Sequence, residues 1–249
     1  MKPDFMRGKR VLVTGASRGI GEGIARSFSE AGAELILHYR TDPERAKKLA
    51  DGLGGKIHLF RADLGKTEEL SAMFEWIGKE FGSLDCAVNN AGWDPGFIAW
   101  EDITPELYYK LTDMNVKGTL FCCLNELRLM KKNGGSILNI GSVQQDTTVP
   151  GRTLYALSKG AVHSMTAQLA LEGGPLGIRV NNILPGYIDV PRMHTTPEIA
   201  KGIPVRRIGQ GGDIGALCVF LASEDASFIN GADIPVDGGV SCKLARDSR

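Results

Sequence analysis

Tyr155 and Lys159 stand four residues apart in the stretch "YALSKGAVHSM". On a helix this spacing puts two side chains on one face, one turn apart, so a phenol would lie beside an ammonium group. A free tyrosine has a pKa near 10, but a cation within about 4–6 Å stabilises the phenolate and lowers that value. The pair therefore predicts a tyrosine that exchanges a proton near neutral pH, with an ordinary surface pair as the alternative.

Ser142 is the second candidate for the same chemistry. It follows the apolar segment "GSILNIG", so we expect its hydroxyl at the end of a strand. There it could hold the substrate oxygen to which Tyr155 gives a proton, or from which Tyr155 takes one. The alternative is a polar residue that only ends the strand. No metal ion and no covalent nucleophile is required by this chemistry, and we predict neither.

A glycine loop, "VTGASRGIG", lies where the first apolar strand meets the first helical pattern. Gly15, Gly19 and Gly21 allow a tight turn and a close approach to another group. A helix that begins behind such a loop favours a phosphate at its N-terminus. The loop, which also contains Ser17, Arg18 and Ile20, therefore predicts a dinucleotide site, and a purely structural turn is the alternative.

The elements that must position these residues alternate along the whole chain. Short strands rich in Val, Ile and Leu are separated by amphipathic helices, a pattern typical of a parallel sheet covered on both faces. About seven strands fit a single α/β domain over residues 1–249, of the doubly wound Rossmann type. An irregular stretch near residues 185–204, which contains Pro185, Pro191, Pro197 and Pro204, is expected to form a substrate loop.

The composition excludes some function classes. Lys+Arg and Asp+Glu both total 29 in 249 residues, so the formal net charge is zero. This balance argues against nucleic acid or an anionic membrane surface as the main partner. Neither a signal peptide nor a membrane-spanning run is recognisable. The 5 cysteines form no CxxC pair, so we expect reduced thiols and a cytoplasmic location.

Six motifs in the same order resemble the short-chain dehydrogenase/reductase family. They are TGxxxGxG at the glycine loop, "NNAG" at residues 89–92, Asn115, Ser142, the Tyr155–Lys159 pair and "PG" at residues 185–186. The resemblance covers nearly the whole chain, as far as "VDGG" at residues 236–239. It implies a Rossmann-type fold, NAD(H) or NADP(H) as cofactor, and a small-molecule alcohol or carbonyl as substrate.

The resemblance also assigns roles to individual residues. Lys159 would hold the ribose hydroxyls, and Asn115 would position a water that relays protons, although Asn115 could also be a helix cap. Asp63 would lie near the adenine, or cap a helix, and Ile188 near the nicotinamide amide. The cofactor contacts expected in all are Gly15, Ser17, Arg18, Gly19, Ile20, Gly21, Tyr39, Arg40, Asp63, Leu64, Asn89, Ala91, Gly92, Tyr155, Lys159, Pro185, Gly186 and Ile188.

The end of the second strand predicts which nicotinamide cofactor is preferred. An acid at this place commonly bonds the ribose hydroxyls of NAD. Here the strand reads "HYR", with Tyr39 where the acid would stand and Arg40 after it. Arg40 and Arg18 suit the 2′-phosphate of NADP(H), because a guanidinium can bind phosphate with two hydrogen bonds. Asp42 weakens this reading, NAD(H) stays possible, and both arginines could be solvated surface charges.

The substrate is less well defined than the reaction. The expected substrate contacts are Trp93, Gln144, Gln145, Tyr187, Met193 and His194, and further candidate pocket residues are Asp94, Arg152 and Arg192. Overall the chain resembles 3-oxoacyl-acyl-carrier-protein reductases as closely as sugar dehydrogenases. The segment "TGASRGIG" suits the reductases, for which Arg128, Lys131 and Lys132 could contribute a basic landing patch. Many polar groups after the strands favour instead a sugar or polyol dehydrogenase. Other carbonyl substrates and a non-catalytic dinucleotide sensor or scaffold are further alternatives.

Two long helical segments indicate self-association. The segments "TLFCCLNELRLM" and "AVHSMTAQLAL" carry apolar residues on more than one face, and such helices need a second burial partner. The resemblance implies that these helices pair in a homotetramer.

Overall fold

The structure, a computed structural model, describes residues 5–191 and 196–243. The strands are β1 (Arg10–Val13), β2 (Glu34–Tyr39), β3 (Ile57–Arg61), β4 (Cys86–Asn89), β5 (Gly135–Ile140), β6 (Ile178–Pro185) and β7 (Asp233–Val236). The helices are α1 (Gly19–Glu30), α2 (Pro43–Asp51), α3 (Thr67–Phe81), α4 (Pro105–Thr112), α5 (Thr119–Met130), α6 (Thr153–Gly173), α7 (Pro197–Gly202) and α8 (Gly211–Ala222).

The seven strands form one sheet in the order β3-β2-β1-β4-β5-β6-β7, and all pairs are parallel. The order reverses between β1 and β4, which is the place where open α/β sheets form a ligand crevice. The doubly wound parallel fold predicted from the sequence is confirmed.

Each face of the sheet has its own hydrophobic core, because neighbouring residues of a strand point to opposite faces. Val11 and Val13 of β1 pack into the core that includes Ile24 and Phe28 of α1. Leu12, between them, packs into the other core, with residues from α3, α5 and α6. This arrangement explains why the strands read as continuous apolar runs.

The structure differs from the sequence-based predictions in three local features, which are helix α4 and the N-terminal regions of α5 and α3. Helix α4 was not predicted from the sequence. The long helix expected from Asn115 onward is preceded by α4, and Asn115 lies in a π-helical turn, Asp113–Gly118, that joins α4 to α5. Asn115 is therefore not an N-cap. The residue type of Thr67, at the start of the helical segment "TEELSAMFEWIGKEFG", predicts an N-cap, but Thr67 is the first residue of α3 and the capping position belongs to Lys66.

Candidate active site

The glycine loop packs directly against the loop that follows β4. Gly15 has φ +63°, and a Cβ there would lie 2.9 Å from Cα of Ala91. A Cβ on Gly21 would lie 2.2 Å from the carbonyl oxygen of Gly15. Only glycine allows both approaches, so the turn that opens α1 requires these residues.

Thr14 and Asn90, which the sequence analysis did not single out, join these two loops. The Oγ1 atom of Thr14 accepts hydrogen bonds from the backbone amides of Asn90 and Ala91, both at 3.0 Å. The Nδ2 atom of Asn90 donates to the carbonyl oxygens of Thr14 and Gly15, both at 3.0 Å. The polar "TG" and "NNAG" motifs were visible in the sequence, but their partnership depends on β1 and β4 being neighbours.

His38 is a second residue that the sequence analysis missed. It is buried in β2, and its Nδ1 accepts from the backbone amide of Gly15 at 3.1 Å. Its Nε2 lies 2.9 Å from the carbonyl oxygen of Ala62. Because burial lowers the pKa of His38 from 6.5 to about 4, the ring is neutral at pH 7 and Nε2 carries the proton. The imidazole thus fixes the glycine loop to the end of β3.

Arginines gather at the carboxyl ends of β1 and β2, which are adjacent strands. Arg18 and Arg40 are both exposed there, and their binding of the 2′-phosphate stays a prediction. Asp42 is occupied as the N-cap of α2, where it accepts from the amide of Arg45 at 2.9 Å. Arg45, a residue not predicted, donates from Nε to the carbonyl oxygen of Ser17 in the glycine loop at 2.9 Å.

Tyr155, Lys159 and Ser142 come together at the carboxyl ends of β5 and β6. Tyr155 is half-buried, whereas Ser142 and Lys159 are 7% and 8% exposed. The Nζ atom of Lys159 lies 5.6 Å from the centre of the Tyr155 ring and donates to the carbonyl oxygen of Ile140 at 2.7 Å. Ser142 accepts from the amide of Gln144 at 3.1 Å, which keeps its own proton available for donation.

Asn115 holds the loop after "NNAG" against α6. Its Oδ1 accepts from the amide of Trp93 at 2.7 Å, and its Nδ2 donates to the Trp93 carbonyl at 2.8 Å. The same Nδ2 donates to Ser158 Oγ at 3.2 Å, and Ser158 in turn bonds the carbonyl oxygen of Tyr155 at 2.8 Å. The π-helical turn aims the Asn115 side chain at this junction, a use often made of such turns at functional sites. Its role as a proton relay stays a prediction.

Two predicted cofactor residues have side chains with structural partners. Asn89 is 5% exposed, and its amide donates into the interior, to Glu126 and Asn139 on α5 and β5. The contact of Asn89 with the cofactor stays a prediction, and it would come from the backbone, because the side chain is engaged in the interior. Asp63 accepts from the amide of Gly65 at 3.0 Å and shapes the turn after β3 without capping α3.

The other predicted cofactor residues follow strand ends along the same edge. Ile188 is buried after β6 and pairs with Gly209. Gly186 fits tightly, since a Cβ there would lie 2.6 Å from Cβ of Asp237. The remaining ones, by strand, are Ser17, Gly19 and Ile20 after β1, Tyr39 at the end of β2, Leu64 after β3, Gly92 after β4, and Pro185 at the end of β6. Their contacts with a cofactor stay predictions.

The predicted substrate residues differ in how they are held. The side-chain oxygen Oε1 of Gln144 accepts a hydrogen bond from Nε of Arg152 at 2.9 Å. The side-chain amide of Gln145 is bonded to other residues: its oxygen accepts from Asn182, and its nitrogen donates to Asp146. Trp93 is half-buried with its ring 4.7 Å from the ammonium of Lys110, and Tyr187 is 48% exposed. Met193, His194 and Arg192 lie outside the described residues.

Metal binding and membrane insertion find no support in the part of the chain that the structure describes. Over residues 5–191 and 196–243, no group of three or more His, Cys, Asp or Glu side chains could hold a metal ion. In the same ranges, no helix combines the length and apolar character needed to cross a bilayer.

Comparisons with known proteins identify the relatives of this chain. The profile of one protein family, described as Enoyl-(Acyl carrier protein) reductase, matches residues 15–241. Glucose 1-dehydrogenase 2 of Bacillus subtilis (strain 168) is 34% identical over 247 residues, which is 95% of this chain and 96% of that protein. L-fucose dehydrogenase of Oryctolagus cuniculus is 37% identical over 93% of this chain and 84% of its own length.

A solved structure gives the same result for the fold. A short chain dehydrogenase from Burkholderia cenocepacia J2315, in complex with NADP, superposes with a TM-score of 0.88 at 30% identity, over 94% of this chain and 98% of that one. The chain belongs to the short-chain dehydrogenase/reductase family and is an NAD(P)-dependent oxidoreductase.

Proposed function

We propose that this chain is an NADP(H)-dependent dehydrogenase that interconverts a secondary alcohol and a carbonyl group, with a sugar or polyol as its substrate. The observation that carries the reaction class is the position of Lys159. Its ammonium lies 5.6 Å from the centre of the Tyr155 ring and bonds the carbonyl oxygen of Ile140, which ends β5 two residues before Ser142. A phenol near a cation, together with a hydroxyl donor, is a proton-transfer site suited to an alcohol or carbonyl oxygen.

The residues present fit a dinucleotide. The N-terminus of α1 has no side-chain cap, so its first amides remain able to bind a phosphate, and the Gly15–Ala91 contact shapes the approach to them. The 2′-phosphate of NADP(H) would be bound by Arg18 and Arg40, as the sequence predicts, with Arg45 beside them. One carboxylate oxygen of Asp42 is turned to the amide of Arg45, where it caps α2.

The nicotinamide would supply or accept the hydride when bound. In alcohol oxidation, Tyr155 takes the hydroxyl proton as the carbonyl forms, and Ser142 donates a hydrogen bond to the same oxygen. Lys159 stabilises the phenolate that this proton transfer requires. Asn115 keeps the loop after "NNAG" and the start of α6 in register through Trp93 and Ser158.

A sugar or polyol is favoured by the polar groups beside Ser142 and by the names of two relatives. Gln144 and Arg152 meet there, with Asp94 behind them. The two sugar dehydrogenases described above are 34% and 37% identical and align over nearly the whole of this chain. A site lined by hydrogen-bonding groups selects substrates that bear matching hydroxyls.

The test is a substrate panel that contains aldoses, polyols, hydroxysteroids and simple alcohols, each with NADP⁺ and with NAD⁺. The near-ultraviolet absorbance of the reduced nicotinamide reports turnover. We expect the highest kcat/KM for an aldose or polyol with NADP⁺. A higher kcat/KM for the steroid or a simple alcohol would reject the sugar proposal while leaving the reaction class intact, and no turnover with any of them would favour a sensor or scaffold.

A 3-oxoacyl-acyl-carrier-protein reductase is the second candidate, and the acyl carrier protein in the description of the matching family favours it. The basic residues that the sequence suggested for carrier docking count against it. Arg128, Lys131 and Lys132 precede Gly135, the first residue of β5, whereas Ser142 follows its last residue. A six-residue strand spans about 20 Å. These cations therefore lie near the amino end of β5, whereas the site lies at its carboxyl end. Reduction of a 3-oxoacyl thioester by NADPH, faster than the oxidation of any sugar, would favour this candidate.

We also propose that the chain forms a homotetramer and works in the cytoplasm. Phe121 on α5 and Leu157 on α6 are 40% and 46% exposed, and Phe228 before β7 is fully exposed. These apolar side chains are available for burial between copies of the chain. A light-scattering mass close to that of the 26.8 kDa chain alone would contradict the tetramer.

A further inference from the structure

We propose that Arg152, held in place by Asp94, is a positioning residue that sets the orientation and the ionisation of the catalytic phenol of Tyr155. The inference rests on the proposed function in one respect, namely that Tyr155 is the group that exchanges the proton. Arg152 lies three residues before Tyr155, at the position that precedes the first turn of α6.

The guanidinium of Arg152 lies between two aromatic rings. Its Cζ is 4.5 Å from the centre of the Tyr155 ring and 5.3 Å from the centre of the Phe97 ring. Cations at such distances from a ring are attracted by its π-electrons, more strongly when water is excluded. Arg152 is 5% exposed, so water is largely excluded here. Its Cζ is also nearer to the centre of the Tyr155 ring than the ammonium of Lys159, at 5.6 Å.

Four hydrogen bonds fix the guanidinium in this place. Its two terminal nitrogens donate to the two carboxylate oxygens of Asp94 at 2.7 and 2.9 Å. One of them also donates to the carbonyl oxygen of Gly96 at 2.9 Å, and Nε donates to Gln144 at 2.9 Å. A planar guanidinium held at this many points cannot rotate freely, so Arg152 joins residues 94–97, the turn after Ser142 and the Tyr155 ring into one unit.

A bound ion pair beside a phenol influences it in two opposite ways. Among the residues that the structure describes, Arg152 at the start of α6 and Lys159 within it lie against the Tyr155 ring, with Asp94 from the loop after β4 behind Arg152. The cation of Arg152 favours the phenolate, and the anion of Asp94 disfavours it. The two partners should therefore have opposite effects on the ionisation of Tyr155 when each is removed alone. A pair with a merely structural role would give shifts of the same sign, or none.

The experiment compares Arg152→Met, Asp94→Asn and the double variant with the wild type. Ionisation of Tyr155 is followed by ultraviolet titration, as the difference between each protein and its Tyr155→Phe counterpart, and by the pH profile of kcat. We expect the midpoint to move up in Arg152→Met and down in Asp94→Asn, by about half a pH unit or more each. The titration midpoint of the double variant should lie between those of the two single variants. We also expect kcat of Arg152→Met to fall about 10- to 100-fold through misplacement of the phenol.

Two further variants keep the test decisive. Arg10→Met is the matched control, because Arg10 also bonds one carboxylate, Glu34, and two backbone carbonyls, but does so at the first residue of β1. It should leave the midpoint unchanged. If Arg152→Met does not fold, Arg152→Lys keeps the cation and should move the midpoint less than Asp94→Asn does. Shifts of the same sign, or midpoints equal to that of the wild type, would overturn the proposal. Wild-type activity that survives in Tyr155→Phe would instead refute the proton-transfer role itself.

Discussion

The buried imidazole of His38 accepts a hydrogen bond from the backbone amide of Gly15, with 3.1 Å between the nitrogens. The first glycine of the dinucleotide loop is therefore fixed by a side chain of the neighbouring strand β2. A protonated ring would have no lone pair at Nδ1 to offer this amide. The geometry of the loop thus depends on a neutral His38.

Replacing His38 tests this dependence through the pH profile of stability. The folded chain holds the pKa of His38 at about 4, below its ordinary value of 6.5, because the ring is buried. The contribution of His38 to stability is complete above pH 6.5 and is lost as the pH falls toward 4, since the unfolded chain then binds a proton that the folded chain does not. Between pH 7.5 and 5 the free energy of unfolding should fall by about 2 kcal/mol on this account.

His38→Gln lacks the titrating ring and should lose less stability over the same interval. The measurement is urea unfolding at several pH values, with His58→Gln as the control, since His58 is partly exposed at the other end of the neighbouring strand. An equal decrease in the wild type and in His38→Gln would show that the buried ring does not determine the acid sensitivity.

Glu126 should make the protein less stable as the pH rises. Burial raises its pKa from 4.5 to about 8, while a hydrogen bond from Asn89 opposes this rise. Within the described residues, neither Glu126 Oε1 nor Asn89 Oδ1 has a hydrogen-bond partner. A proton on Glu126 Oε1 would satisfy both oxygens, because Oε1 could then donate to Asn89 Oδ1. The folded chain keeps this proton between about pH 4.5 and 8, where the unfolded chain loses it, and stability falls across that window.

Glu126→Gln carries an amide where the wild type carries a protonated acid, and it does not titrate. We expect it to match the wild type near pH 5 and to exceed it in unfolding free energy by more at each step toward pH 8. Thermal unfolding of both proteins at matched pH measures the difference. Parallel pH profiles would mean that Glu126 is ionised in the fold.

Arg40→Ala should narrow the preference for NADPH over NADH. A hydrogen bond to a charged group contributes about 1.5–3 kcal/mol, so losing one should weaken NADPH binding by roughly 10- to 150-fold and leave NADH nearly unchanged. Arg45→Ala should narrow the same preference to a smaller extent, because Nε of Arg45 already donates to the carbonyl oxygen of Ser17 and so has fewer hydrogen bonds to offer the phosphate. Titration of both cofactors into each variant measures this, with Arg26→Ala on the outer face of α1 as the control. A wild type that prefers NADH, or an equal loss for both cofactors, would reject the arginine hypothesis.

The sequence predicted the parts of this molecule that depend on local pattern. Short apolar segments such as β1, separated by helical patterns, predicted the parallel α/β fold. The spacing of residues within motifs predicted the candidate roles of Gly15, Ser142, Tyr155 and Lys159. In the structure the ammonium of Lys159 lies 5.6 Å from the centre of the Tyr155 ring and bonds the carbonyl oxygen of Ile140, the last residue of β5 and two residues before Ser142. Such predictions succeed because strand alternation and helical spacing are properties of neighbouring residues.

Contacts between distant segments could not be predicted in the same way. His38 reads as one polar residue in a strand, and only the β1–β2 pairing brings it beneath Gly15. Arg152 reads as a pocket residue, and its pairing with Asp94 requires the loop after β4 to fold back over α6. Asn89 reads as the last polar residue of a strand, and only the packing of β4 against α5 and β5 shows that its side chain donates to Glu126 and Asn139.

The most direct measurement is single-turnover hydride transfer in Tyr155→Phe, with the best substrate of the panel. The variant lacks one hydroxyl, so it should fold and bind NADPH as the wild type does. We predict that the rate of the chemical step falls by about 100-fold or more, the usual scale of acid–base catalysis. A rate above a tenth of the wild-type value, with cofactor binding unchanged, would contradict the assignment of Tyr155 as the proton donor and acceptor.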